Sequence, residues 1–199
     1  MRNVRVFLLM ILLATPTLIV AQQRCRIAVC DWMILKRQKI GEFGLAKQLG
    51  CDGIEMDMGG LGRRDSFDNK LREPSQQRIF RHTADSLGIP VASMAMSGFY
   101  AQSFANKPSY RWLIEDCLNA MDVMGANIAF LPLGGCGNNW ADSLALRNII
   151  VARLHEVGEM ARARGKVIGI DTPLDAKGNI KLLNEINSDG IKIFYKFQT

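Results

Sequence analysis

Three carboxylates stand where β-strands can aim them at a bound molecule. In the run DGIEMDMG, Glu55 and Asp57 alternate with Ile54, Met56 and Met58. Side chains alternate across a strand, so the two carboxylates share one face and the apolar residues the other. In VIGIDTP, Ile168 and Ile170 take the apolar face, while Asp171 ends the strand on the face of Val167 and Gly169. If helices cover the apolar faces, Glu55, Asp57 and Asp171 point inward. A carboxylate held there must be ion-paired, hydrogen-bonded or metal-bound, because an isolated buried charge is strongly disfavoured. Glu55 and Asp57 therefore have two open readings: an internal ion pair, or a substrate or metal role. Asp171, at the rim, suits a hard-metal ligand or a general base. Its alternative is an Asx-turn capping the next loop.

The remaining chemistry-bearing residues are less directed. His82 and His155 fall in helical segments, away from strand ends, and read as solvated helix residues. Gly134–Gly137 in LGGCGNN is a loose phosphate-cradle pattern and reads more simply as a loop. Arg63, Arg64, Lys70 and Arg72 line a long loop. They read as a solvated lid, with an anionic substrate as the alternative. Phe99, Tyr100 and Phe104 follow the third strand and either wall a pocket or pack on neighbouring loops. No nucleophile–base pair of hydrolase type is visible. The five cysteines (25, 30, 51, 117 and 136) match no zinc spacing and read mainly as buried free thiols.

The elements that position these residues alternate strictly. The strand-like runs are RIAVCDWM, DGIEMDMG, PVASMAMS, NIAFLPLG, VIGIDTP and IKIFYKFQ. Helical periodicity separates them. The first helix is expected from about Lys36 to Leu49, with Ile40, Phe43, Ala46 and Leu49 on one face. The second starts at Pro74 and carries Ile79, Thr83, Ala84 and Leu87. The third carries Leu113, Cys117, Ala120, Met121 and Met124, the fourth Ile150, Leu154, Val157 and Ala161, and the fifth Leu182, Leu183 and Ile186. Gly50, Gly88, Gly125, Gly165 and Gly190 are each expected to end a helix in the left-handed conformation. Turns from helix to strand are thus short, and loops from strand to helix are long. That asymmetry puts the working face at the C-terminal strand ends of a parallel α/β sheet.

The 199 residues, 48% hydrophobic and 22% charged, suffice for a packed core. The net charge of +6 is spread without a long basic run, which argues against a nucleic-acid partner. Residues 1–21 have a basic head, an apolar run and a short polar exit, the layout of a secretory signal peptide cleaved after Ala21. The apolar run is shorter than the ~20 residues of a spanning helix, and Pro16 interrupts it, so a stable membrane anchor is the lesser reading. Residues 22–199 are then a periplasmic or secreted domain.

The stretches IAVCDWM, GCDGIEMDMGGLG, AMSGFYAQSFA, AFLPLG and VIGIDTPLDAKG resemble the xylose isomerase-like TIM-barrel superfamily, the sugar phosphate isomerase/epimerase group, over about residues 26–199. The resemblance implies a (β/α)8 barrel and a divalent metal (Mn, Mg, Co or Zn). It implies proton transfer between adjacent carbons of a sugar or polyol through an enediolate. The family's metal ligands are a Glu after strand five, an Asp after strand six, a His or Gln on strand seven and a Glu on strand eight. Carried over by position, the first falls on Asp171, a shorter carboxylate, and the second on Lys196, whose ammonium repels a metal. Glu55 resembles a substrate-side carboxylate. The expected catalytic residues are thus Asp171 and Glu55, and the expected substrate contacts are Asp57, Phe99 and Tyr100.

Six strands and five helices make an incomplete barrel of the eight-fold type, with parallel strands in sequential order. The resemblance then implies that this chain is inactive alone, with self-association through open sheet edges. The alternative is a periplasmic carbohydrate- or small-molecule-binding protein with an open, doubly wound sheet, which requires a reversal of strand order. A nuclease-like member of the same superfamily is disfavoured by the modest charge and the lack of a histidine-rich cluster.

Overall fold

A computed structural model describes residues 24–134 and 138–195. The leader (1–21), Cys136 and Lys196 lie outside the described residues. Six strands form one parallel sheet in the order β1-β2-β3-β4-β5-β6. They are β1 (Ala28–Cys30), β2 (Gly53–Asp57), β3 (Val91–Ala95), β4 (Ile128–Pro132), β5 (Val167–Asp171) and β6 (Ile191–Ile193). Five helices connect them: α1 (Gly41–Gln48), α2 (Pro74–Leu87), α3 (Tyr110–Met124), α4 (Leu144–Ala163) and α5 (Ala176–Ile186). This is a barrel-type α/β architecture, incomplete over the described residues, in which β1 and β6 are the outer strands. The strand order has no reversal, so the topology that a doubly wound sheet requires is absent.

The hydrophobic layer lies between the outward strand faces and the helices. Ile54, Met56, Met94, Leu131, Ile168 and Ile170 are fully buried. From the helices they meet Phe43, Leu113, Met121, Leu154, Val157 and Leu182, also fully buried. Each large side chain removed from water contributes roughly 1.5–3 kcal/mol before chain entropy is subtracted. Helix starts are fixed locally. Ser143 accepts from Leu146 N–H, Asp175 accepts from Gly178 N–H at 2.7 Å, and Pro74 opens α2 without an amide that needs a partner.

Three sequence expectations about the helices change. First, α1 begins at Gly41 rather than near Lys36, because residues 31–39 form a tight connection instead. There Lys36 N–H donates to the Asp31 carbonyl, and Leu35 and Gln38 adopt positive φ. Ile40 and Leu49 are consequently exposed, and the buried face is Glu42, Phe43 and Ala46. Second, α2 buries Phe80 and Ala84 and leaves Ile79 exposed. Third, Gly50, Gly88, Gly125 and Gly165 do take positive φ, but the last helix is ended by Asn187 at φ 50°. Gly190 serves a different purpose: a Cβ there would overlap the Gly158 carbonyl of α4, so the pair of glycines lets β6 approach that helix closely.

Candidate functional site at the C-terminal strand ends

The inward face follows from strand register. Cys30 pairs with Glu55 and Glu55 with Ser93; Asp57 pairs with Ala95, Ala95 with Phe130, and Phe130 with Gly169. These residues point into the barrel. Glu55 is half-buried and accepts a hydrogen bond from Ser93 Oγ at 2.9 Å. Burial raises its pKa, and the Ser93 hydroxyl and Cys30 thiol oppose that rise. Burial also pushes the Cys30 thiol up, so it is a poor nucleophile.

Asp57 has no accessible surface. Its Oδ1 accepts from Gly59 N–H at 2.8 Å and pairs with Arg37 Nε at 3.2 Å. Its Oδ2 is buried without a hydrogen-bond partner. Burial pushes its pKa up to about 6, against the opposing pull of Ser97 and the Arg37 guanidinium. Asp57 is thus enclosed in this structure, and its carboxylate holds Arg37, which is 43% exposed and also donates to Ser97 Oγ at 3.3 Å.

Phe99 is enclosed as well. It is fully buried between Phe67 and Phe104, with ring centroids 6.0 and 5.6 Å away, and it supports the loop from below. Tyr100 is different. Its ring is exposed and lies 5.6 Å from Trp32 and 6.0 Å from Phe130, and Phe130 lies 4.6 Å from Phe194. The four rings run across the mouth from the loop after β1 to the end of β6. The Arg37 guanidinium stands 5.6 Å over Trp32. Gly169, opposite Phe130, leaves room for the Phe194 ring.

Asp171 ends β5, half-buried, on an open cavity of about 700 Å³ that it shares with Thr172, Leu174, Phe194 and Tyr195. Three interstrand steps of ~4.8 Å separate β5 from β2. The structure thus brings Glu55 and Asp57 together on one strand and places Asp171 across the mouth. Asp175, not Asp171, caps α5. Among the described residues no group of three or more His, Cys, Asp or Glu side chains is arranged to hold a metal ion. Asp171 and Asp175 are the two carboxylates on that cavity, short of such a group, so the described residues do not fit a resident divalent cation, and no step is routed through one.

Arg64, Lys70 and Arg72 of the long loop have structural partners. Arg72 makes a two-pronged contact to Asp116, at 3.0 and 2.7 Å, and donates to the Phe67 carbonyl. Lys70 Nζ donates to the Gln38 carbonyl, and Arg64 to the Gly60 carbonyl. His82 is exposed on α2, and His155 on α4 lies 2.9 Å from the Ile186 carbonyl. Cys25, Cys30, Cys51 and Cys117 are free thiols, but only Cys117 is fully buried and Cys25 is exposed.

Two residues escaped the sequence reading. Asp31, directly after β1, is fully buried and accepts from Gln38 N–H at 2.9 Å and Asp57 N–H at 3.1 Å. Glu42 on α1 is fully buried, and neither of its carboxyl oxygens has a hydrogen-bond partner. The signal for Glu42 was available: it stands one turn before Ala46, on the apolar face of α1.

No protein-family model and no curated protein matches this sequence. Solved structures match its fold. A xylose isomerase-like TIM-barrel protein from Mycobacterium smegmatis in complex with magnesium is 15% identical, with a TM-score of 0.62 over 84% of this chain. A xylose isomerase domain protein from Planctomyces limnophilus is 13% identical, with a TM-score of 0.64 over 86%. The 3-keto-D-glucoside 4-epimerase from E. coli is 17% identical, with a TM-score of 0.65 over 85%. The matches cover 63%, 63% and 67% of those proteins' own lengths. The described chain therefore has the fold of the xylose isomerase-like TIM barrels, over about two thirds of its extent.

Proposed function

We propose that the C-terminal mouth binds a sugar or polyol, and that the whole protein belongs to the isomerase and epimerase chemistry of its structural neighbours. The observation that carries this reading is the row of Trp32, Tyr100 and Phe194, joined through the buried Phe130, on the same inward side as Glu55. Aromatic faces stack on the C–H faces of a sugar ring, and a half-buried carboxylate with a raised pKa suits proton transfer near neutral pH. Glu55 takes the role of proton acceptor from a carbon beside a carbonyl. Asp171 faces it from the far rim as the second carboxylate, and Arg37, held by Asp57, offers hydrogen bonds to ring hydroxyls. Returning the proton to the adjacent carbon gives isomerisation; returning it to the opposite face of the same carbon gives epimerisation.

The test is a titration of the purified chain with a panel of pentoses, hexoses, 3-keto sugars and polyols, followed by product analysis. Binding without turnover is expected, with or without added Mg or Mn. The described residues supply the aromatic face and the carboxylates of Glu55 and Asp171, but no group of three or more side chains arranged to hold a metal. Rapid turnover of any sugar would contradict this reading; failure to bind every member of the panel would remove its basis.

Two further expectations belong to the same reading. Export through residues 1–21 predicts a mature chain beginning at Gln22, checked by intact mass of periplasmic material. Self-association through the outer strands β1 and β6 predicts a concentration-dependent sedimentation coefficient.

A further inference from the structure

The side chains behind the mouth form a second polar centre. Asp31 and Glu42 are both fully buried and electrostatically coupled, on the loop after β1 and on α1. Asp31 has two backbone N–H donors, from Gln38 and Asp57. Glu42 has no donor to either oxygen. Two ionised carboxylates cannot coexist in that position, since each would be desolvated beside a like charge. A proton held between the two carboxyls removes that repulsion and satisfies one of the Glu42 oxygens.

We propose that Glu42 is a neutral carboxylic acid that shares its proton with Asp31, and that this buried pair positions the Asp57–Arg37 arm of the mouth. The arm follows residue by residue. Asp31 accepts from the Asp57 backbone N–H, Asp57 Oδ1 pairs with Arg37 Nε, and Arg37 stands over Trp32. Asp31 also fixes Gln38 at its positive φ of 42°, and Gln38 Nε2 donates to Asn69 Oδ1 at 3.0 Å. The pair thus ties the loop after β1 to the end of β2. Glu42 and Asp31 are residues that position; they do not touch the substrate.

The surroundings support a neutral Glu42. Burial and the neighbouring Asp31 push its pKa up to about 9, against the smaller opposing pulls of the Lys39 backbone N–H and the Lys70 ammonium. The other charged or titratable groups near the pair, on the Asp31 side, are Glu55 and Cys30 on the strands and Asp57, which Arg37 pairs.

The sign of the linkage is fixed. A carboxyl whose folded pKa lies above its unfolded value loses stability as pH rises from the unfolded value through the folded one. The wild-type unfolding constant should rise about tenfold per pH unit across that window, relative to Glu42→Gln, because one proton separates the two proteins.

The experiment measures urea midpoints of the full chain from pH 5 to pH 9 for wild type, Glu42→Gln and Glu42→Asp. Infrared spectra in heavy water look for the carbonyl band of a protonated side chain at pH 7. The proposal expects Glu42→Gln to flatten the pH profile and exceed wild type at pH 8, with a wild-type band that the substitution removes. Amide spectra of Glu42→Gln should keep the Asp57 N–H resonance in its hydrogen-bonded position, and Glu42→Asp should restore part of the slope. Parallel pH profiles for wild type and Glu42→Gln, or the absence of a band at pH 7 that depends on Glu42, would overturn it. The absence of any protonated-carboxyl band from wild type at pH 7 would by itself overturn the proposal, so it stays testable if a variant does not fold. Neither readout uses a sugar, so its failure is distinct from failure of the carbohydrate reading.

Discussion

The two sides of the barrel mouth handle polar groups in opposite ways. On the β1–β2 side, polar side chains are sealed in and bonded to one another. Asp31 takes two backbone amides, Gln38 reaches Asn69, and Asn69 Nδ2 donates to Asp116 at 3.1 Å. On the β5–β6 side, Asp171 opens onto a cavity and Tyr195 is 74% exposed. Burial makes each bond on the first side expensive to break, because a lost partner leaves a group without water. Exposure makes bonds on the second side cheap to exchange, as ligand entry requires. One side is a scaffold that aims Arg37 and Glu55; the other is the opening.

This contrast can be broken experimentally. The largest expected effect is Asp31→Ala. It strands the buried N–H groups of Gln38 and Asp57 and deprives Glu42 of its proton acceptor, at a cost of about 3–5 kcal/mol measured by urea denaturation at pH 7. A loss under 1 kcal/mol would mean the first side is not the scaffold. Next is Gly190→Ala. The new methyl would overlap the Gly158 carbonyl and force β6 away from α4, costing about 1–3 kcal/mol. That loss would show that the open side is braced by backbone approach rather than by polar bonds.

Arg37→Ala should act through pH. Removing the guanidinium lifts the Asp57 pKa further above about 6, since its positive charge now opposes that rise. Asp57 is a raised carboxyl, so the stability it withholds is lost as pH rises from the usual carboxylate range through the folded value. In the variant that loss extends to higher pH, giving a larger drop in urea midpoint between pH 5 and pH 8 than in wild type. An unchanged drop would uncouple Arg37 from Asp57. The smallest effect is Asp171→Asn, which should shift stability by no more than ~0.5 kcal/mol, as expected for a partly exposed side chain outside the core. A loss of 2 kcal/mol or more would make Asp171 structural and remove it from the mouth's chemistry.

Strand parity was legible in the sequence. The alternation of Ile54, Met56 and Met58 with Glu55 and Asp57 placed the apolar set against the helices and the carboxylates inward. The fourth helix was legible too: Ile150, Leu154, Val157 and Ala161 are all fully buried. What could not be read was depth. Parity assigns Asp57 a side, and Phe99 falls in the loop after β3, but neither reading says whether loops close over them, and both are sealed. The start of α1 was misread because Ile40 continues the apolar spacing, whereas the Asp31 carboxylate draws Gln38 N–H into a turn first. That bond joins residues seven apart and has no periodic signature. Asp31 went unnoticed because a single acid after a strand resembles an ordinary loop residue until the Asp57 amide is seen to point at it.

The central claim is that the aromatic row at the mouth binds a sugar ring. The direct test is a two-dimensional NMR titration of the full chain with the sugar panel, following the indole N–H signals of Trp32 and Trp112 and the rings of Tyr100 and Phe130. Trp112 is the internal control, since it lies on α3 beneath the Arg72 guanidinium, 4.8 Å from its ring centre and away from the mouth. The account predicts that a binding sugar shifts Trp32, Tyr100 and Phe130 together in a saturable way and leaves Trp112 in place. Saturable shifts at Trp112 alone, or no shift at Trp32 with any sugar at saturating concentration, would contradict it.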